Sequence, residues 1–219
     1  MSIQRENKRD EVSAAVVSRL PKYYRCLRDF LNNDKLRVSS KELAEAMNTT
    51  ASQIRQDLSS FGGFGQQGYG YNVKTLYTNI SVILGINDTY SAVIIGTDRL
   101  GAVLAKESVF SKRGVILRAA FDSRSENIGK EILTDIYVRD LSELENFCKS
   151  CVIDIVVMTD YPEYAERLNN CGIKGIWNFT GAQLELKNIN EDISVQDVFL
   201  GDTLMMLCYK INMKQKEKS

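Results

Sequence analysis

The chain shows two different spacings of hydrophobic positions. In the first part they recur every three or four residues, as at Ile54, Leu58 and Phe61, which predicts amphipathic helices. In the second part short apolar runs such as residues 92–95 alternate with helical stretches, a pattern typical of a parallel sheet covered on both faces. The sequence therefore predicts an α/β protein with two domains that meet near residues 78–88.

The second part predicts a doubly wound parallel sheet of the Rossmann type. Its predicted strands cover residues 91–95, 115–121, 136–138, 153–158, 175–178 and 193–198. Its predicted helices cover residues 100–110, 141–148 and 162–171, and Gly172 closes the last of them as a left-handed cap.

Two helix-start signals lie close together in the first part. Ser39 with Glu42 forms a capping box, and Thr50 begins a second helix after a very short turn, which is typical of a helix-turn-helix unit. The outward face of the second helix carries hydrogen-bonding side chains: Ser52, Gln53, Arg55, Gln56 and Ser59. Arginine and glutamine read base edges in a major groove, so this helix is predicted to enter DNA. An ordinary solvated polar helix is the alternative.

A segment rich in glycine and aromatic residues follows over residues 61–71. It predicts a β-hairpin with a flexible tip, which next to a helix-turn-helix is the wing of a winged-helix fold. Gln66 and Gln67 at the tip are expected to reach a minor groove. A phosphate-binding glycine loop is the alternative, but no strand precedes the segment and no Gly-Lys-Ser/Thr ends it.

The charge of the first part also suits a phosphate-bearing partner. Residues 1–80 carry 12 Lys and Arg against 8 Asp and Glu, while the whole chain is balanced at 28 each. The cations and tyrosines of residues 19–25 either grip backbone phosphate or cover the domain core with their aliphatic stems. Asp57, an acid on the reading helix, is expected to face the domain and orient Arg25 or Arg55.

A dinucleotide fingerprint occupies residues 96–101, between the strand 91–95 and a helix, and Asp122 ends the next strand. An acid there bonds the ribose 2′-hydroxyl and favours NAD, although neighbouring Arg124 keeps NADP open. The middle glycine is replaced by Asp98, whose charge about 4 Å from a pyrophosphate would cost about 4 kcal/mol at an effective dielectric of 20. Asp98 is also expected to cap the helix, and Arg99 to turn inward in compensation.

Four motifs closely resemble the Rex family of redox-sensing transcriptional repressors: RLPKYYR at 19–25, SSKEL at 39–43, QIRQD at 53–57 and FGQQGYGYNV at 64–73. The likeness spans almost the whole chain. It implies a winged-helix domain over residues 1–80, a Rossmann domain over 81–199 and a dimer-exchange helix with its tail over 200–219. It also implies a homodimer that binds double-stranded inverted-repeat operator DNA and releases it when NADH occupies the Rossmann domain.

The pattern and the resemblance together assign two sets of residues. The DNA-binding set is Arg19, Lys22, Tyr23, Arg25, Ser39, Ser40, Ser52, Gln53, Arg55, Gln56, Ser59, Gln66, Gln67 and Tyr69. The NAD(H)-binding set is Gly96, Thr97, Asp98, Arg99, Leu100, Gly101, Asp122, Thr159, Asn178 and Phe179, the last two beside the nicotinamide.

Several positions depart from the Rex pattern. Glu107 stands where a tyrosine is usual, residues 159–162 replace a short Val-Pro turn, and Phe199 replaces an aspartate that takes part in switching contacts with an arginine matching Arg19. Together with Asp98 they define an alternative, a Rex paralogue that binds the same kind of operator without an NAD(H) response. An NAD-dependent oxidoreductase is a second alternative, but no second catalytic constellation accompanies the Rossmann pattern, so no enzyme activity is expected.

Composition narrows the chemistry further. The chain has no histidine, which excludes Ser-His-Asp triads and His-ligated metals, and no metal site is expected. Its five cysteines are predicted to be reduced, with Cys148 and Cys151 as structural thiols at a helix end. No leader or apolar run of about 18 residues occurs, so a cytoplasmic protein is expected. The last helix, residues 200–213, is apolar on more than one face and is expected to be buried by a partner or by its own sheet.

Overall fold

The chain divides into two compact units, Met1–Asn87 and Asp88–Ser219. The computed structural model describes residues 13–60, 65–66, 70–107 and 110–216. None of the helices in these ranges combines the length and the apolar character of a membrane-spanning segment.

Short helices and a small antiparallel sheet make up the first unit. The helices are α1 (Ala14–Val17), α2 (Leu20–Asn32), α3 (Ser40–Met47), α4 (Ala51–Ser59) and α5 (Val73–Ile83). The strands β1 (Arg37–Val38), β2 (Gly65–Gln66) and β3 (Gly70–Asn72) pair in the order β1-β3-β2. Helices α3 and α4 form the predicted helix-turn-helix, and β2 with β3 forms the predicted hairpin.

Burial at helical spacing holds this unit together. Leu20 and Leu27 of α2 and Leu76 and Ile80 of α5 are fully buried in one cluster with the inner side of α4. Each such side chain gains about 1.5–3 kcal/mol on leaving water. Helix α5 ends at Ile83, so the domain limit predicted at residue 80 falls inside this helix, whereas the division after Asn87 lies within the predicted boundary region 78–88.

The second unit is built on a seven-stranded sheet within the described residues. Its strands are β4 (Tyr90–Ile95), β5 (Val115–Asp122), β6 (Glu131–Leu133), β7 (Ile136–Asp140), β8 (Ile155–Met158), β9 (Gly175–Asn178) and β10 (Ser194–Asp197). Their order is β10-β9-β8-β4-β5-β7-β6, parallel except for β6, which runs antiparallel to β7. This is the doubly wound order, with its switch point between β4 and β8. All six predicted strands are confirmed, and the three-residue edge strand β6 was not predicted.

Both faces of this sheet are buried. Val93 and Ile95 of β4 lie in one hydrophobic cluster, whereas Ile94 between them lies in another, because successive side chains of a strand point to opposite faces. Such double burial explains why β4 is apolar without alternation.

The helices of the second unit are α6 (Arg99–Lys106), α7 (Leu144–Ser150) and α8 (Leu200–Lys216), with 3-10 turns at Ser111–Arg113, Leu141–Glu143, Pro162–Asn170 and Leu186–Asn188. The predicted helix 100–110 is therefore shorter, and the helix predicted over 162–171 is a 3-10 helix. Both helix types bring residues i and i+3 to one side, so an apolar pattern alone does not separate them. Gly172 has φ 68°, as a left-handed cap requires.

Helix α8 is exposed along its described length. Leu204, Leu207 and Ile211 are 61%, 52% and 49% exposed, although such side chains are normally buried. Of the two predicted ways of covering this helix, packing on its own sheet is wrong.

Candidate DNA interface and dinucleotide site

Side-chain caps set the starts of α3 and α4. Ser39 Oγ accepts a hydrogen bond from the Glu42 amide at 3.1 Å, and the Glu42 carboxylate accepts from the Ser39 amide at 2.7 Å, which confirms the capping box. The Lys35 ammonium and then the Ser39 donors lower the pKa of Glu42 to about 2. Thr50 caps α4 by accepting from the Gln53 amide at 3.1 Å. The start of α4 is therefore set by local hydrogen bonds.

The outward face of α4 presents polar side chains. Ser52, Arg55, Gln56 and Ser59 are exposed, as the helical pattern predicts. Arg55 Nη1 donates to Ser40 Oγ at 3.1 Å, which brings the first residue of α3 to the same surface. These donors and acceptors are the types that read base edges and phosphates.

A buried carboxylate anchors the inner side of α4. Asp57 is fully buried and accepts hydrogen bonds from Arg19 Nε at 2.8 Å and Nη2 at 2.6 Å, from Tyr23 Oη at 3.0 Å and from Gln53 Nε2 at 2.8 Å. Burial alone would raise the pKa of Asp57, but these hydrogen bonds outweigh it and hold the pKa below its usual range. We call these four residues the Asp57 network. It ties α4 to the region around the start of α2.

The Asp57 network corrects three expectations. Asp57 faces the domain as predicted, but it orients Arg19 rather than Arg25 or Arg55. Tyr23 is fully buried with its hydroxyl on Asp57, so its assignment to a DNA surface is wrong. Gln53, which was predicted on the outward face, is half-buried, and its side-chain amide donates to Asp57.

The remaining residues of the DNA set divide by accessibility. Lys22 is exposed and donates to the Met47 carbonyl, and Arg25 is exposed on α2. Ser39 serves as the cap of α3. Gln67 and Tyr69 lie outside the described residues, as does the side chain of Gln66.

Two glycines shape the loop after β4. Gly96 has φ 89°, and a Cβ there would lie 2.6 Å from the Asp160 Cβ. A Cβ on Gly101 would lie only 1.9 Å from the Gly96 carbonyl oxygen, so α6 approaches the loop as closely as a dinucleotide fold requires. Thr159 Oγ1 donates to the same carbonyl at 2.7 Å. These three members of the NAD(H)-binding set lie together.

Asp98 behaves differently from the expectation. It precedes α6 at the N-cap position, but its side chain makes no capping hydrogen bond and is 66% exposed. Its carboxylate lies 3.5 Å from Arg124 Nη1 instead. Arg99 is exposed, so Arg124 rather than Arg99 supplies the compensating charge. Leu100, the next member of the set, is half-buried in α6.

Asp122 ends β5 at the predicted position, and its side chain is fully buried. Its carboxylate accepts from seven donors: Thr97 N and Oγ1, Arg124 N, Nε and Nη2, Asn127 Nδ2 and Tyr161 Oη. Burial alone would raise the pKa of Asp122, but the hydrogen bonds from Arg124, Tyr161 and Thr97 hold it far below its usual range. In this structure both oxygens of Asp122 are engaged within the protein.

The other assigned residues lie at the edge of the sheet beyond β8. Asn178 is buried, donates to Asp197 at 2.7 Å and accepts from Thr180 Oγ1 at 2.8 Å. Phe179 is half-buried against Trp177, with ring centroids 4.6 Å apart. Among the positions that depart from the Rex pattern, Glu107 is exposed after α6 and Phe199 is 37% exposed before α8.

Asp160, Tyr161 and Asn127 are neighbours of this site that were not assigned to it, although residues 159–162 were noted as a departure from the Rex pattern. The available signal was topological, because residues that follow adjacent parallel strands meet at one edge of the sheet. Asp160 and Tyr161 follow β8, and Asn127 lies in the loop after β5.

None of the five cysteines, all of which lie in the described ranges, forms a disulfide bond within the chain. Cys148 and Cys171 are buried, and burial together with the neighbouring Cys171 thiol raises the pKa of Cys148 to about 12. Cys151 and Cys208 are exposed. Within the described ranges no group of three or more His, Cys, Asp or Glu residues is placed to hold a metal ion.

Comparison with known proteins gives consistent matches. A family model described as "Putative DNA-binding protein N-terminus" matches residues 11–59. The chain is 45% identical over 210 residues to the redox-sensing transcriptional repressor Rex of Caldanaerobacter subterraneus subsp. tengcongensis, which covers 94% of this chain and 92% of the relative. It is also 45% identical to the Rex of Clostridium botulinum strain Alaska E43, over 95% of this chain and 100% of the relative.

Two solved structures are similar over nearly the whole chain. One is described as RSP in complex with beta-NAD+ and operator DNA; it has a TM-score of 0.84 and 43% identity and covers 94% of this chain and 95% of its own. The other is RSP in complex with beta-NADH, with a TM-score of 0.84 and 40% identity, covering 95% and 98%.

Proposed function

Because this chain belongs to the Rex family of redox-sensing transcriptional repressors, we propose that it represses transcription by binding operator DNA and that NAD(H) in its Rossmann unit controls this binding. Its relatives are named as repressors and not as enzymes. Action on operator DNA also supports a cytoplasmic location.

The observation that carries this proposal is the outward face of α4. Ser52, Arg55, Gln56 and Ser59 are exposed there, while the acid of the helix, Asp57, is turned inward and neutralised by Arg19. A rigid helix with polar side chains outward and no carboxylate among them suits the major groove. The hairpin of β2 and β3 would follow the adjacent minor groove as a wing.

The exposed helix α8 supports a homodimer. A stripe of large apolar side chains on one chain is stable when a second copy covers it, and two-fold symmetry then predicts an inverted-repeat site. A nucleotide that binds more tightly to one conformation of the dimer than to another raises the population of the first conformation. It thereby changes the affinity of the dimer for operator DNA.

The direct test is a gel shift on an inverted-repeat duplex enriched from a random pool by the wild-type protein, with a scrambled duplex as control. We expect selective binding at physiological salt, and weaker binding when NADH is added. Absence of selective binding contradicts the proposal. Selective binding that is unchanged by NADH would instead support the alternative, a Rex paralogue without a nucleotide response.

Arg55→Ala tests the reading helix. We expect operator affinity to fall about 5- to 30-fold (1–2 kcal/mol), because one bidentate contact to a base edge is lost. The matched control is Lys112→Ala, which removes an exposed positive charge from the second unit. Equal losses in the two variants would show that charge alone, and not α4, determines binding.

Thiol labelling tests the dimer. Cys208 on α8 and Cys151 are both exposed in the single chain, so Cys151 serves as the internal control. If a second copy covers α8, raising the protein concentration slows labelling of Cys208 about tenfold relative to Cys151, as read by mass spectrometry of the two peptides. A constant ratio over the range in which sedimentation shows dimer would rule out α8 as the covered element.

A further inference from the structure

The Arg124 guanidinium joins three loops at one edge of the sheet. It lies 3.0 Å from Asp122, which ends β5, 3.2 Å from Asp160 after β8 and 3.5 Å from Asp98 after β4. One positive charge thus faces three carboxylates. The net charge of this cluster is negative, close to the place where a dinucleotide fold recognises the adenosine ribose.

The three carboxylates are not equivalent. Asp122 is fully buried and held by internal donors, whereas the Asp98 and Asp160 side chains are 66% and 46% exposed. Exposed ion pairs are weak and exchange readily with solvent or ligand. Asp98 and Asp160 are therefore the carboxylates that an incoming nucleotide meets.

A neighbouring cavity locates the adenosine end. It has a volume of about 340 Å³ and reaches both Asp98 and Asn127. Its lining combines the apolar side chains of Ala102, Ile132 and Val138 with the charged ones of Arg99, Lys106, Lys130 and Glu131. The apolar part of this lining suits a purine ring. Asn127, at the same cavity, has its Nδ2 3.1 Å from Asp122. A ribose attached to a base in this cavity would lie beside Arg124.

We propose that Asp98 and Asp160, acting on Arg124, determine the choice between NAD(H) and NADP(H) in this site, a role that the buried Asp122 does not fill. The inference rests on the proposed function, since it concerns the same nucleotide site. Arg124 by itself would attract a 2′-phosphate, as arginines near the ribose do in NADP-binding folds. The two exposed carboxylates occupy its guanidinium and repel the phosphate, while they accept a hydrogen bond from an unmodified 2′-hydroxyl.

The test compares NADH and NADPH affinities by calorimetry for the wild type and for Asp98→Asn/Asp160→Asn. We expect the double variant to improve NADPH affinity about tenfold relative to NADH affinity, because Arg124 becomes available to the 2′-phosphate. The ratio is the readout, since the pyrophosphate is common to both ligands and its interaction with position 98 cancels. Adding Arg124→Gln to the double variant should remove the gain.

The matched control is Glu126→Gln. It removes an exposed carboxylate that lies in the loop of Arg124 after β5 but takes no part in the ion pairs of Arg124. Its NADPH-to-NADH ratio should equal that of the wild type. An unchanged NADPH-to-NADH ratio in the double variant, or a gain that survives Arg124→Gln, overturns the inference. If the wild type binds NADH in the same experiment, the proposed function is not affected by that result. Failure of the wild type to bind NADH would overturn the nucleotide response itself and this inference with it.

Discussion

Asp57→Ala is expected to destabilise the first unit by about 3 kcal/mol and to abolish selective operator binding. The substitution removes the acceptor of four hydrogen bonds, leaving the buried Tyr23 hydroxyl without its partner and Arg19 without its counter-charge. Because the same carboxylate fixes α4 against α2, the outward face of α4 loses its position. Thermal unfolding followed by circular dichroism measures the first effect, and a gel shift with the full chain measures the second.

Two further measurements keep this prediction specific to the Asp57 network. Tyr23→Phe removes one hydrogen bond and should cost about 1 kcal/mol. The pKa of Asp57 is lower in the folded chain than its usual value, so its contribution is present above the ordinary carboxylate range and is lost as pH falls through the folded pKa. The difference between the wild type and Asp57→Ala should therefore shrink below about pH 4. A difference that is constant with pH would contradict the electrostatic explanation.

Local signals in the sequence were sufficient for the helix-turn-helix of the first unit. The cap of α3 by Ser39 and the cap of α4 by Thr50 involve residues three positions apart, so the sequence itself brings the partners together. For Asp57 the sequence predicted that the side chain faces the domain, but not which arginine it pairs with. Arg19 is 38 residues away, and nothing in the spacing distinguishes it from Arg25 or Arg55 until α2 packs against the helix-turn-helix.

The same distinction holds in the second unit. The central strands, such as β4 and β8, were predictable because double burial makes them apolar runs, and the fingerprint glycines mark the loop after β4. The state of Asp98 was not predictable, since a capping aspartate and a solvent-facing one have the same sequence pattern. Its outcome depends on Arg124, which the fold brings from another loop to within 3.5 Å. Charge clusters between loops are set by the topology, whereas caps are set by neighbouring residues.

Gly101→Ala is expected to destabilise the second unit by about 3 kcal/mol, the upper range for overpacking, and to prevent NADH binding. The added Cβ would lie 1.9 Å from the Gly96 carbonyl oxygen and 3.0 Å from Thr159 Oγ1. A backbone oxygen cannot rotate away as a side chain can, so α6 must move off the sheet edge and carry the fingerprint loop with it. Calorimetric unfolding and NADH titration of the full chain measure the two effects.

Gly129→Ala is the control that separates the effect of a steric clash from the effect of backbone strain. Gly129 has φ 83°, and a Cβ added there would have no neighbour within 4 Å among the described residues, so alanine meets only backbone strain of about 1 kcal/mol. Gly101 lies in a helix, where alanine is otherwise favoured, and the Gly96 carbonyl is what opposes it. If Gly101→Ala lowers the free energy of unfolding no more than Gly129→Ala does, the close approach of α6 to the loop after β4 does not stabilise this edge of the sheet. The NADH site would then not depend on that approach.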